Sequence, residues 1–293
     1  MKILLGYYHS WEKVPDALIQ NVMAEFHDNG AENLVFSHIW ASRILREPSF
    51  FHLIQKAANE EHLSIVEMHA PYGPSFDLNC AVMARRPKMF EEHRTAMSYA
   101  AETGSKTYTV HIGDYDYVHF KTPINKVLRP LAIQTLEELL PTAEKLGLTI
   151  CVENAFEPTN TPDEVAFFME YFSSANLRCC FDVGHAHLMA PFQGKDPMRY
   201  SDDVLMAWGK KPAEYPDALG RLASYVATVH LHDNDSYSDA HALPGKGTID
   251  WPSLIQSLEK CPNLVSLQTE VRTVPGLSIR NLCDVFRNMG ICT

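Results

Sequence analysis

Arg178-Cys179-Cys180-Phe181-Asp182-Val183-Gly184-His185 is the stretch on which the fold reading turns. An apolar run of strand length stops on a carboxylate, and a glycine and a histidine follow at once. Seven further runs of that length recur at residues 3–6, 34–38, 65–69, 108–111, 148–153, 228–232 and 264–270. Segments with helical spacing alternate with them, at 14–29, 49–61, 87–103, 124–146, 162–172, 215–224, 251–259 and 278–289. Strict alternation of this kind implies a parallel sheet. Gly30, Gly104 and Gly147 close helical runs, and Thr161-Pro162-Asp163-Glu164 opens one with an N-cap, a first-turn proline and acidic residues. No linker or change of composition divides the chain. The longest irregular insertion is residues 191–216, expected to cover the mouth or to form a subunit contact. An open doubly wound sheet usually carries a glycine-rich turn after its first strand, and Tyr7-Tyr8-His9-Ser10-Trp11 is no such turn. One domain over residues 1–293, a closed (β/α)8 barrel, is therefore expected.

Functional groups in such a barrel gather at the C-terminal ends of the strands. His69, His111, Glu153, Asp182, His230 and Glu270 end or closely follow strands three to eight, and His185, Asp239 and His241 join them as side chains able to bind metal. A lone histidine is more often a surface or hydrogen-bonded core residue, but position changes that expectation. A carboxylate closing an apolar run, as Glu153 closes Ile150-Cys151-Val152, costs on the order of several kcal/mol to desolvate unless a cation or a hydrogen-bond network meets it. Carboxylate and imidazole together are the donor set of zinc, manganese and related divalent ions. His232, beside His230, is expected to face away from the mouth and to pack or hydrogen-bond. Trp11, Trp40 and Tyr72 are expected in ordinary core or loop packing rather than in a sugar-binding wall. Gly245-Lys246-Gly247 lacks the spacing of a Walker phosphate loop and reads as a turn.

Composition narrows the classes. With 46% hydrophobic and 21% charged residues the chain can bury a sizeable core, and no stretch approaches the roughly 18 unbroken apolar residues of a membrane span. Met1–Gly6 is too short an apolar run for a secretory signal, so a cytoplasmic protein with no membrane partner is expected. Seven cysteines without a Cys-x-x-Cys pair read as buried, reduced thiols. A net charge of −11, from 25 basic and 36 acidic side chains, disfavours nucleic acid as a partner.

Asp182-Val183-Gly184-His185, Val229-His230-Leu231-His232-Asp233-Asn234-Asp235, and Asp239-Ala240-His241 followed by Pro244-Gly245-Lys246-Gly247-Thr248-Ile249-Asp250-Trp251 are similar to the three most recognisable motifs of one family. Along essentially its whole length the chain resembles the xylose-isomerase-like TIM barrels: sugar and sugar-phosphate isomerases and epimerases, inosose dehydratases and endonuclease IV. By resemblance to the epimerase branch, Glu153, Asp182, His230 and Glu270 hold one divalent ion, and Glu153 and Glu270 act as acid and base at a substrate carbon. The route is then α-proton abstraction through a metal-stabilised enediolate. His185 and Arg272 would contact the substrate, although Arg272 could equally pair with a ligand carboxylate.

The resemblance implies a small carbohydrate as substrate and Mn, Zn, Co or Mg as cofactor, one ion or as many as three; a homo-oligomer is compatible with it. Elimination from a keto-sugar or keto-inositol, of the inosose dehydratase or 3-keto-glycoside eliminase type, would use the same first step. In endonuclease IV all nine positions are ligands of a three-zinc cluster that hydrolyses phosphodiesters, with the counterpart of Glu153 as the bridge. Here, however, His232-Asp233-Asn234-Asp235 and Asp182-Val183-Gly184-His185 replace that enzyme's Asn-Asp-Ser-Lys and Asp-Thr-Cys-His runs.

Overall fold

The computed structural model describes residues 3–113, 122–192, 194–209 and 211–291. Gln193 and Lys210 of the insertion, and Cys292, lie outside the described residues. Eight strands, β1 Leu4–Tyr7, β2 Asn33–Phe36, β3 Ser64–His69, β4 Thr107–Val110, β5 Thr149–Glu153, β6 Leu177–Asp182, β7 Val226–Leu231 and β8 Ser266–Thr269, pair in parallel, each with the next. β1 then pairs with β8, so the sheet closes into the expected barrel and leaves no open edge.

The strands are short and apolar on the side that meets the helices. Tyr108, Val110, Ile150, Val152, Phe181, Val229, Leu231 and Leu267 share one core with helix residues such as Ile54, Ala96, Leu139 and Phe168. The interior of the cylinder is different. Glu67 of β3 accepts hydrogen bonds from Thr228 of β7 and Gln268 of β8, strands that β3 does not neighbour, so these bonds cross the lumen. A barrel interior is more usually filled by Val, Ile and Leu.

Helix boundaries follow the local signals. Gly104 and Gly147 end their helices at φ 87° and 68°, conformations costly for any side chain with a Cβ. The Thr161 side chain accepts from the Glu164 amide at the start of the helix Pro162–Phe172. β2 stops at Phe36, two residues before its expected end, and Ser37 caps a helix over His38–Ile44 by accepting from the Trp40 amide. Trp11 and Trp40 stack at 4.3 Å in the core, as expected.

The 191–216 insertion packs as a small satellite. Tyr200, Val204 and Ala207 bury against Phe156, Leu188 and Tyr237, and Trp208 Nε1 donates to the Phe156 carbonyl at 2.6 Å. It is thereby tied to the segments that follow β5 and β7. The described cysteines are all free and buried. Among the described residues no helix is long and apolar enough to cross a membrane.

His93 sits wholly inside this scaffold. Its Nε2 donates to the Phe76 carbonyl at 2.7 Å and its Nδ1 meets the Tyr108 hydroxyl at 2.9 Å, which fits the neutral ring. Burial lowers its pKa from 6.5 to about 4. The unfolded chain therefore takes up this proton near pH 6.5, whereas the folded chain refuses it until about pH 4. The associated stability is fully present above pH 6.5 and drains as the pH falls through that window, by about 3 kcal/mol in all. Urea denaturation of the wild type and His93→Gln at pH 7 and 4.5 should show a smaller acid-induced loss in the variant. Equal losses would reject this account.

Candidate metal centre

The strand ends deliver their side chains to one mouth. His69 is the last residue of β3, Glu153 of β5 and Asp182 of β6; His230 is the penultimate residue of β7, and His111 and Glu270 lie one residue beyond β4 and β8. His185 follows on the short helix Val183–Leu188, whose amide nitrogen at His185 is capped by Asp182 Oδ1 at 2.6 Å. Asp239 and His241 come from the segment after β7, which an Asp233–Ala242 bridge holds in place. All nine side chains read as able to bind metal thus meet at the mouth.

They fall into three groups, and within each the ligand atoms lie within 4.8 Å of one another. The first is His69, His111 and Glu153. The second is Glu153, Asp182, His230 and Glu270. The third is His185, His232, Asp239 and His241. Glu153 joins the first two: Oε2 lies 3.3 Å from His69 Nε2 and 3.2 Å from His111 Nε2, while Oε1 lies 3.3 Å from His230 Nδ1.

Backbone carbonyls set the tautomers of three of the rings. His69 Nδ1 faces the Ala70 carbonyl at 2.8 Å, His185 Nδ1 that of Asn154 at 3.1 Å, and His241 Nδ1 that of Glu270 at 2.8 Å. A carbonyl only accepts, so each Nδ1 carries the proton and each Nε2 turns a lone pair inward when the ring is neutral.

Charge at the mouth is strongly coupled. Burial alone would raise Glu153, yet the charges of His230 and His111 hold it well below the usual carboxylate range. Burial alone would lower His111, but Glu153 pushes it up to about 9. Asp239, likewise opposed by burial, is held low by His241 and His185.

Four atoms of these groups nevertheless remain buried without a hydrogen-bond partner: His230 Nδ1, Glu270 Oε2, Asp239 Oδ1 and His232 Nδ1. The first two lie 3.2 Å apart without hydrogen-bond geometry. Orphaned nitrogen and oxygen donors of one group, such as His230 Nδ1 and Glu270 Oε2, are what a divalent cation satisfies, and the donor set fits one.

Two residues near this centre escape the sequence reading. His232, expected to face away, has its Nε2 3.0 and 3.1 Å from the two oxygens of Asp182 and its ring stacked on His241 at 3.8 Å. Residues two apart on a strand share a face, and β7 has already ended at Leu231, so the expected outward facing is overturned, while the expected hydrogen bond is made, to Asp182. Gly184 has no Cβ because one would fall 2.0 Å from the His232 ring. Glu67 lies fully buried beneath the centre, and its distance of two residues from His69 was the signal that both face inward.

Above the ligands lies a cleft of about 450 Å³, within the usual range for small-molecule pockets. His38, Tyr72, Phe156 and Arg272 line it. Tyr72 stacks on His111 at 4.7 Å, so it belongs to the wall and not to the core. Arg272 is exposed, and its guanidinium makes no hydrogen bond or ion pair with the described residues, which leaves the expected alternative of a ligand carboxylate unmet. Gly245-Lys246-Gly247 is a turn, as expected: the Gly245 amide and Trp251 Nε1 both donate to Asp233 Oδ2, at 2.8 and 2.9 Å.

Known proteins carry the same arrangement of elements. MJ1311, an uncharacterized protein of Methanocaldococcus jannaschii, is 27% identical over 201 residues, 67% of this chain but only 60% of the relative's length. The structure of 3-keto-D-glucoside 4-epimerase, YcjR, from E. coli in its apo form superposes with a TM-score of 0.71 at 14% identity, covering 99% of this chain and 100% of that one. The IolI protein with a bound zinc atom gives 0.69 at 15% identity, covering 99% and 97%. These likenesses concern the fold. The sequence itself matches the family described as the xylose isomerase-like TIM barrel over residues 26–289, and with its closed eight-strand barrel the chain belongs to that family.

Proposed function

We propose that this chain is a one-domain, divalent-metal-dependent sugar or sugar-phosphate isomerase or epimerase that removes a proton α to a carbonyl. The observation that carries the proposal is the convergence of Glu153, Asp182, His230 and Glu270, with ligand atoms within 4.8 Å of one another, beneath the cleft. The 4-epimerase activity for which the E. coli protein is named and the zinc of the IolI structure lend support. A bound Mn, Zn, Co or Mg ion would supply charge stabilisation where negative charge develops on the substrate's oxygens.

Glu153 and Glu270 come from β5 and β8, which do not neighbour one another, so a substrate carbon held between them meets two carboxylates. One takes the α-proton and the other returns one. His185, which lines the cleft, and Arg272, with its guanidinium unpaired among the described residues, would hold substrate oxygens or a phosphate. The reading takes a small carbohydrate as partner and places the protein in the cytoplasm. The charge of −11 weighs against nucleic acid.

Incubation with ketoses, keto-inositols and keto-glycosides in deuterium oxide should place label at an α-carbon. Glu153→Gln and Glu270→Gln should each lower that exchange by about 10²–10⁴-fold. Exchange retained in both variants would refute the proton-transfer roles. Loss of a β-substituent in the same assay would identify the reaction as an elimination sharing the first step.

One observation favours a second reading, phosphoester hydrolysis by three metal ions. Glu153 presents its two oxygens to two different ligand groups, as a bridging carboxylate does, and the third group is present as well. Elemental analysis of the purified chain separates the readings. One exchangeable manganese or cobalt per chain is expected for the isomerase; three tightly held zinc ions would favour the hydrolase.

A further inference from the structure

His230 breaks the pattern of the other anchored rings. His69, His185 and His241 each turn Nδ1 to a backbone carbonyl and Nε2 to the centre. His230 is reversed: Nδ1 faces the centre, 3.3 Å from Glu153 Oε1 and 3.2 Å from Glu270 Oε2, and Nε2 points down the lumen. There it lies 3.4 Å from Glu67 Oε1, with no carbonyl in that place.

Glu67 is fixed where it is by donors alone. Thr109 Oγ1 donates to Oε1 at 2.6 Å; Thr107 Oγ1 and Thr228 Oγ1 each donate to Oε2 at 2.9 Å, and Gln268 Nε2 donates to Oε2 as well. Ser266 Oγ and Gln268 Nε2 in turn donate to Thr228 Oγ1, at 2.8 and 2.6 Å, which aims the Thr228 hydroxyl at the carboxylate. Four strands thus hold one acceptor group rigidly beneath one imidazole. A carboxylate whose two oxygens between them already accept from four other donors can only accept, so the ring nitrogen facing its Oε1 must itself donate.

We propose that Glu67 is the positioning residue of the metal centre: it holds His230 in the Nε2–H tautomer, so that the Nδ1 lone pair is presented to the ion shared with Glu153, Asp182 and Glu270. The carboxylate does for this ring what a backbone carbonyl does for the other three, and a partner on the far nitrogen of a ligating histidine both orients it and strengthens it as a donor. Glu67 touches neither substrate nor ion in this arrangement. The inference rests on the reading of His230 as a ligand.

The test uses the zinc-loaded full chain, with long-range ¹H–¹⁵N correlation spectra of the imidazoles. In the wild type, the His230 ring, assigned by its absence from His230→Gln, should carry its proton on Nε2 and bind zinc through Nδ1. Calorimetric titration of zinc into the metal-free chain should show the affinity of one site falling by about 10–100-fold in Glu67→Leu. Glu67→Gln, whose amide oxygen still accepts from Nε2–H, should recover most of it, and Thr109→Val, which removes a donor to Glu67 but leaves the His230 contact, should bind nearly as the wild type does. Zinc bound through Nε2, or a folded Glu67→Leu with wild-type affinity, overturns the proposal while leaving the metal centre standing. A wild type that binds no divalent ion overturns the centre and this inference together. If Glu67→Leu does not fold, the wild-type tautomer alone decides.

Discussion

Glu153 and Asp182 are buried to 1% and 0% exposure, and Glu270 sends an oxygen to within 4.8 Å of theirs. Two carboxylates at such a separation repel by about 3–4 kcal/mol at an effective dielectric of 20. The mouth of the barrel is tolerable only with positive charge among them, and the chain supplies it in layers. The imidazoles of His69, His111 and His230 lie against Glu153, and His185 and His241 against Asp239. Imidazoles alone leave Glu270 Oε2 and Asp239 Oδ1 without a hydrogen bond from the described residues. The remaining demand is for a compact charge that accepts several donors at once, which is the physical definition of a metal ion's role in a protein interior.

The barrel suits this demand because every strand contributes its terminus to the same small region while the helices outside supply the stability. The apolar core runs between sheet and helices. The lumen is therefore free to be polar. Glu67, Thr107, Thr109, Thr228, Ser266 and Gln268 form a hydrogen-bonded plug there, with each donor matched to an acceptor. A plug of this kind contributes rigidity under the site at the expense of hydrophobic burial, which the large outer core offsets.

How much of this was legible in the sequence follows from what encodes it. Alternating apolar runs and glycine stops are local signals, so the eight strands and the caps at Gly104 and Gly147 could be read directly. Six of the nine side chains able to bind metal could be read because polar residues closing apolar runs at strand ends have few other reasons to be there. What escaped depends on register across the barrel or on where a strand stops. Glu67 looked like one acid inside a strand until the closed sheet brought β7 and β8 over it. His232 and His38 were assigned to strands that end one or two residues earlier, and both become mouth residues once the chain turns. The insertion at 191–216 packs through Tyr200 and Trp208 onto residues far away in sequence, which no local pattern announces.

The odd orientation of His230 has a structural reason in its position. His185 and His241 lie outside the strands and His69 at the very end of one, where chain that has left the ladder supplies a free carbonyl. His230 still belongs to β7, paired with Asp182 of β6 on one side and Gln268 of β8 on the other, so the carbonyls around it are committed to the sheet. A ring that projects into the lumen from within a ladder has only side chains for company. An inward imidazole set one residue below a strand's end therefore needs an inward acceptor below it, and in this barrel the neighbouring layer of β3 supplies one in Glu67, two residues before His69. The polar plug and the proposed metal centre are in this sense a single structure, with the imidazole of His230 as the contact between them.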